Sequence, residues 1–557
     1  MRHHSRNILL LGAAALALAA CDSELDVVNP NNADITRALG TPTDVEKLLS
    51  GGFNQVVQNT TGGGAENLNS NFQVMSLENA SGLANFNMGP RGSLPRVPVL
   101  NTPNNPGSVS VTRDFSGLSR LTRATTLGLE RLATTGFTLG SAARDLRARS
   151  YGRFVLGLAL GNLALSYDSS SVVLPGADAV PPLVAYDSVM RAAIATLDLA
   201  LADATNPTAA TTGGFPLPAD WMNLSSGAVS ADQFARIIRS YRARFRAEVG
   251  RTPAERGAAN WTQIIADAQA GIQSDLNIVM NATTGWTHSW VANHYTSTNW
   301  HVAPMWIIGM ADSTGADYAS WLNQPLGDRL PFLIRSADKR FPAGLTRAAQ
   351  NTASNGGGPN AVPFAGVYFR NRLAGNDGSS NDPGWLSSNY DHVRLQAFQN
   401  ASRIGDVAHM VMPEMWGLIA EGAIRAGNFT LAADMIDRSR VSRGGLPALT
   451  GVITSATQPV PGGSACVPRV PSNAGGTYTT ACGNIFEAMK WEKRMEMAYL
   501  SYGAWYFDSR GWGDLPQGTP LYFPVPWQER DVRQSPYTNS GGVGQVGGAA
   551  RGTYGFP

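Results

Sequence analysis

Charge is scarce in this chain: Asp, Glu, Lys and Arg make up 15% of 557 residues, and the formal net charge is +2. A near-neutral balance excludes the electrostatic pull that nucleic-acid binding depends on. Cysteine is rarer still, with three residues, and histidine numbers seven, so neither a disulfide-dense scaffold nor a Cys/His-rich zinc protein is open to it. Beyond residue 20 no apolar run approaches the ~20 residues that cross a bilayer. Also missing are HExxH, a P-loop, G-x-S-x-G and a paired-glycine fingerprint after a strand. No catalytic residue, metal or cofactor is therefore assigned.

What the chain does carry begins at its start. Arg2 and Arg6 precede an apolar run from Ile8 to Ala20, which meets Cys21 and then Asp22, Glu24 and Asp26. A basic head, a short apolar stretch and small residues before a cysteine describe a secretory leader, because the run is too short for a ~30 Å hydrocarbon core. Residues 1–20 are read as a lipoprotein signal peptide, Cys21 as the lipidated mature N-terminus, and 21–40 as a tether. Several acyl chains, at ~0.8 kcal/mol per buried methylene, make a stable anchor. Removing 1–20 takes away Arg2 and Arg6 and no acid, leaving 41 basic against 41 acidic residues.

The remaining cysteines, Cys466 and Cys482, flank a Gly/Pro/Ser/Thr-rich stretch, and in a compartment outside the cytoplasm that predicts a disulfide. Glycine (60) and proline (33) are abundant, so long uncharged loops should separate the regular elements.

Between those loops the helical period dominates. Leu118, Leu121, Thr125, Leu129 and Leu132 form one stripe, and Tyr151, Phe154, Val155, Leu158 and Leu165 another. Met190, Ile194, Leu197 and Leu201 follow, then Phe234, Ile237, Ile238, Tyr241 and Phe245. Five arginines interleave that last stripe, Arg236, Arg239, Arg242, Arg244 and Arg246, and are read as a solvated face. Trp261, Ile264, Ala268 and Ile272 continue the series. Pro413 suits a first helical turn and Gly427 a left-handed stop. Between them Met415, Leu418, Ile419, Gly422 and Ala423 offer a small-residue stripe, and Thr430 is expected to cap the next helix. So short a connection implies an antiparallel pair. The predicted fold is mainly α, built of tetratricopeptide-like helix pairs forming an α-α superhelix, with a loop-rich subdomain containing few short strands.

By this reading residues 41–280 form an N-terminal helical region with an inserted loop at 60–110. Residues 281–400 form a loop-rich aromatic subdomain, and 401–557 a C-terminal helical region. The subdomain holds the richest polar and aromatic cluster, running from Trp286 to His301 and on to Trp306 and Trp321. Indole faces beside amides suit a pyranose, whose axial C–H groups pack on the ring while its hydroxyls bond to side chains. Trp286, Trp290, Asn293, Tyr295, Trp300, Trp306 and Trp321 are the candidate ligand contacts; the alternative is that the rings pack a loop-rich subdomain. His288, His294 and His301 are spaced by six and seven, which matches no common zinc pattern.

Farther along, Glu492 and Glu496 share an inward stripe with Ile485, Met489 and Tyr499. A glycosidase pair is one reading. Adjacent turns of one helix point both acids the same way, which favours glutamates paired with arginines such as Arg438, Arg440 or Arg443.

In order along the chain, these segments resemble the SusD/RagB family of surface nutrient-binding lipoproteins. Leu25 to Pro30 resembles the family's opening and Thr43 to Phe53 its first helix. Met415 to Gly445, with Ile436-Asp437-Arg438-Ser439-Arg440, resembles its helix, short turn and Ile-Asp-x-x-Arg segment. Glu492 to Met497 is similar to its Glu-Arg-x-x-Glu-Leu helix, followed by Tyr506-Phe507-Asp508, Arg510 to Gly513, and Pro524-Val525-Pro526. The chain departs from the pattern at Tyr502, where a Glu is common, and at Trp505, where an Arg is common. The resemblance implies a protein that captures oligosaccharides, or peptides, without chemistry. It also implies a SusC-like TonB-dependent transporter barrel as partner and a lipid-anchored, surface-exposed place on the outer membrane. A glycoside hydrolase-like protein or a purely structural outer-membrane lipoprotein is the alternative.

Overall fold

The computed structural model describes residues 39–63, 67–80, 85–105, 107–176, 181–287, 302–358, 360–372 and 388–550. Cys21 and the leader lie outside the described residues.

One long helix with a fully buried second half organises the rest. In α5 (Ala142–Ser166) every residue from Phe154 to Ser166 is buried, so the helix is hydrophobic all round and must be surrounded. It is covered by α4 (Ser108–Ala133) and α6 (Tyr186–Ala204). Glycines let the neighbours in: a Cβ on Gly157 would sit 2.7 Å from the Leu197 side chain, and one on Gly161 2.1 Å from the Phe245 ring. The Leu197 contact brings α6 onto the α5 backbone, and the Phe245 contact brings α7 (Ala231–Glu248). A capping box starts α7, with Ser230 and Gln233 each accepting from the other's backbone N–H.

Packing then proceeds from neighbour to neighbour. Helix α7 rests on α6 and on α8 (Trp261–Gln269), α8 on α9 (Met412–Arg425), and α9 on α10 (Phe429–Arg440) and α11 (Ile485–Met497). Such stacking of helix pairs into a curved array is a superhelix. The first helices, α1 (Pro42–Ser50) and α2 (Gly52–Gln58), lean on α4 and α5. The chain leaves the array at β1 (Leu276–Met280) and returns through β2 (Gly405–Met410), paired antiparallel with Ile278 opposite Val407. Three further two-stranded pairs occur among the described residues, one of them Arg469–Ala474 with Thr477–Cys482. The fold is mainly α with few short strands. No described helix is long and apolar enough to cross a membrane.

Two large apolar cores result among the described residues. One runs through the helical array and includes Phe53, Phe154, Tyr241 and Met489. The other joins the excursion after β1 to the far side of α11 and includes Trp306, Phe341, Trp491 and Met495. Helix α11 thus contributes to both.

Four expectations need correction. Residues 60–110 are more than a loop: they contain α3 (Leu68–Met75), all eight of whose residues are buried. Its asparagines hide it from periodicity, since they are buried by bonding to backbone; Asn69 Oδ1, for example, accepts the Gly503 N–H at 2.9 Å. Likewise, residues 281–400 contain helices at Ala316–Leu322 and Arg347–Asn355. The cap of α10 is Asn428, which accepts the Leu431 N–H at 3.1 Å, while Thr430 falls inside the helix. Finally, the arginines of α7 are not all solvated. Arg244 makes a two-pronged contact with Glu414 of α9 at 2.6 and 2.5 Å, and Arg242 reaches Asp198 of α6 at 3.2 Å. Acids on the neighbouring helices, invisible along one stripe, turn that face inward.

Candidate functional site

Trp286, Trp306 and Trp321 are all buried. The Trp286 ring lies 6.3 Å from Phe53, in the core of the helical array. Trp306 and Trp321 meet edge to face at 5.3 Å in the other core, with the Arg329 guanidinium 5.0 Å from the Trp321 ring centroid. Trp306 sits in the run Met305–Ile308, whose apolar neighbours carry it inward. These three rings are packing residues, and the structure does not bring Trp286 together with the other two. Trp290, Asn293, Tyr295 and Trp300 lie outside the described residues, as do His288, His294 and His301.

The two ends flanking 288–301 are well anchored. Thr287 Oγ1 donates to Gln58 Oε1 at 2.6 Å, and the Val302 N–H donates to Asn79 Oδ1 at 3.1 Å. One residue on, the Ala303 N–H donates to the Tyr390 carbonyl at 2.8 Å, while the Arg372 N–H donates to that of Asn389 at 2.9 Å. Val302, Arg372 and Asn389 are therefore gathered around one strand end, next to Ala80, which bridges Val302.

Glu492 and Glu496 form no open carboxylate pair. Arg340 Nη1 lies 2.8 Å from Glu492 and 3.2 Å from Glu496, and Arg340 Nη2 lies 2.6 Å from Asp338. Tyr368 donates to Glu496 Oε2 at 2.9 Å, Ser439 to Glu492 Oε2 at 2.9 Å, and Arg443 pairs with Glu496. All but Arg443 are buried. Burial works against the Arg340 charge, yet the carboxylates of Asp338 and Glu492 outweigh it and hold the guanidinium protonated. Of the expected partners only Arg443 reaches these acids: Arg440 donates to the Pro447 and Val467 carbonyls, and Arg438 pairs with Asp434. Sequence patterning had no means of naming Arg340, which arrives from a separate segment. A second buried network holds Arg256 on Glu421 at 2.7 Å and on Asp508 at 2.9 Å. Desolvation opposes the Glu421 charge, but Arg256 prevails and draws its carboxyl down to about 2.

Tyr502, one of the two departures from the family pattern, donates to Asp114 at 3.0 Å; Trp505, the other, donates its indole N–H to the Arg494 carbonyl at 2.8 Å. Cys466 and Cys482 are disulfide-bonded, across the base of the Arg469–Ala474/Thr477–Cys482 hairpin.

Open space gathers along one flank of the helical array. A cavity of about 250 Å³ lies between the start of α7 and the entry to β1, and one of about 500 Å³ lies among α8, α9 and α10. Both are lined by Ile272 and Gln273, so they adjoin. The larger also shares Trp416 and Met435 with a small crevice of about 10 Å³ that reaches Glu492.

Helix pairs packed neighbour on neighbour, with adjoining grooves along one flank, define the architecture. Among solved structures the chain is similar to a SusD homolog from Parabacteroides distasonis, with a TM-score of 0.50 and 10% identity over 88% of this chain and 93% of that one. The fold is SusD-like. A laminarin-binding SusD-like protein (TM-score 0.49, 12% identity, 89% of this chain and 98% of that one) is also similar. So is a SusD superfamily protein from Bacteroides vulgatus (0.46, 13%, 88% and 97%). No protein-family model matches the chain, and no curated protein does.

Proposed function

We propose that this protein is a surface nutrient-binding lipoprotein of the outer membrane. It captures oligosaccharides, or peptides, and delivers them to a SusC-like TonB-dependent barrel without carrying out chemistry. The SusD-like fold is the observation that carries the reading. A leader ending at Cys21 supports the anchored location, and the commitment of Glu492 and Glu496 to arginines supports binding over hydrolysis. Ligand contact is assigned to the stretch after Thr287, where Trp290, Asn293, Tyr295 and Trp300 supply rings and an amide. Calorimetry of the full chain in detergent against oligosaccharides and short peptides tests it. Dissociation constants between millimolar and micromolar are expected, about −4 to −8 kcal/mol. No heat from any ligand, together with no barrel recovered in a pull-down, overturns it.

A further inference from the structure

The two adjoining cavities are walled by residues from 224–277 and 412–438, none of which lies in the stretch after Thr287. At one end the walls mix apolar Leu224, Val229 and Leu276 with polar side chains, of which Ser225 and Gln273 are exposed and Asn277 half-buried, beside Arg236 and Asp275. At the other they are apolar, with Met415 and Met435 flanking the half-buried indole of Trp416. The Arg438 and Arg443 guanidiniums stand 5.8 and 5.9 Å from that ring's centroid and hold it in place. The indole N–H of Trp416 is buried and meets no acceptor among the described residues.

Charge along the trough is balanced. Arg236 pairs with Asp232 at 2.8 Å and Arg438 with Asp434 at 3.3 Å. Asp275 accepts the Met412 N–H at 2.7 Å, at the start of α9, where the helix dipole favours an anion. Neither sign is left to recruit a charged ligand. Amides and hydroxyls at one end, with a fixed aromatic ring and thioethers at the other, match a molecule with hydroxyl edges and C–H faces.

We propose that this trough is a second binding site, specific for an uncharged oligosaccharide. The sugar class leans on the proposed function; the location does not. The test uses full-length protein in detergent with methyl-labelled methionine, titrated with maltoheptaose and laminarihexaose at millimolar concentration. An oligogalacturonate serves as the anionic control and tri-leucine as the apolar one.

Binding of a neutral sugar should move the Met415 and Met435 methyl signals. Trp416→Ala, or Gln273→Ala with Asn277→Ala at the more accessible end, should weaken that shift by about tenfold in concentration. Trp416→Phe should retain the fold and part of the affinity. Trp290→Ala with Trp300→Ala should leave the shift intact, even if overall binding falls. The proposal is overturned if neither neutral sugar moves these methyls. It is equally overturned if the oligogalacturonate or tri-leucine moves them more strongly, or if the shift survives the trough substitutions and vanishes in the Trp290/Trp300 variant.

Discussion

Arg340 bridges Glu492 and Glu496, one turn apart on α11, through a single nitrogen at 2.8 and 3.2 Å. The same guanidinium holds Asp338, whose Oδ2 also accepts the Trp491 indole N–H at 3.0 Å. Three carboxylates thus converge on one guanidinium inside the protein, with Arg443 adding a contact at Glu496 and Arg440 a more distant charge near Glu492 and Asp338. Arg340→Met should cost about 3–5 kcal/mol in urea unfolding, because it leaves buried charges uncompensated. A loss under about 1 kcal/mol would mean that the network does not form.

Stability should depend on pH through three buried carboxyls. Desolvation pushes Glu78 up to about 8, against an opposing bond from the Tyr499 N–H. Desolvation and then the Asp508 charge raise Glu248 to about 8, and desolvation raises Asp114 to about 7 despite Arg113. Each folded value lies above the unfolded one, so between about pH 4.5 and 8 the folded state binds more protons. The stabilisation is therefore complete below the unfolded value and is lost as pH rises through the folded one. Glu421 works the other way, its contribution fading as pH falls from about 4.5 toward 2. Urea midpoints should be highest near pH 5 and lower at pH 8.5. Glu78→Gln should flatten the alkaline slope; an unchanged slope would exclude Glu78 as its source.

Gly161 faces the Phe245 ring so closely that a Cβ would meet it at 2.1 Å. Gly161→Ala should destabilise by about 1–3 kcal/mol through overpacking between α5 and α7. Gly51, by contrast, has an α-region φ of −73° and nothing within 4 Å of the position a Cβ would take, so Gly51→Ala should be neutral or slightly stabilising. Thermal unfolding of both variants separates crowding from helix propensity.

The contrast between these positions explains what was legible in the sequence. A stripe such as Leu118-Leu121-Leu129 reports only that a face is buried, and that was enough to locate most of the helices from α4 to α11 and the mainly helical class. Identity of the partner is another matter. Whether Arg244 meets water or Glu414 depends on a helix some 170 positions away, and periodicity carries no such information. The same limit applies to Trp306 and Trp321, because an indole suited to a sugar is equally suited to another indole. Polar helices such as α3 escape for a related reason: their buried amides bond to distant backbone. The trough around Trp416 was missed because its walls come from four separated segments.

If Cys21 carries the acyl chains, Cys21→Ser should release the protein from the membrane fraction while leaving its ligand affinity unchanged. Fractionation with immunoblotting, paired with calorimetry, reads both. Retention of the serine variant in washed membranes would remove Cys21 as the anchor.

The disulfide should act locally. Its partners are 16 positions apart, a loop whose closure contributes roughly 3 kcal/mol in the chain-entropy model. Cys466 is fully buried in the core of the helical array, whereas the two strands it introduces are largely exposed. Beyond the bond, the hairpin is held by Asn323, which donates to the Tyr478 carbonyl and accepts its N–H, each at 2.8 Å, and by Thr480, which donates to the Gly315 carbonyl at 2.9 Å. Those contacts tie the hairpin to the two ends of the helix Ala316–Leu322, while its tie to the array runs through Cys482. Cys466→Ala with Cys482→Ala should therefore raise hydrogen exchange across 469–482 before it lowers the global unfolding midpoint. Adding Asn323→Ala should free the hairpin further, more than the sum of the two changes, since each tether limits the same loop. Exchange in α5 that rises in step with the hairpin would show instead that the bond stabilises the whole chain.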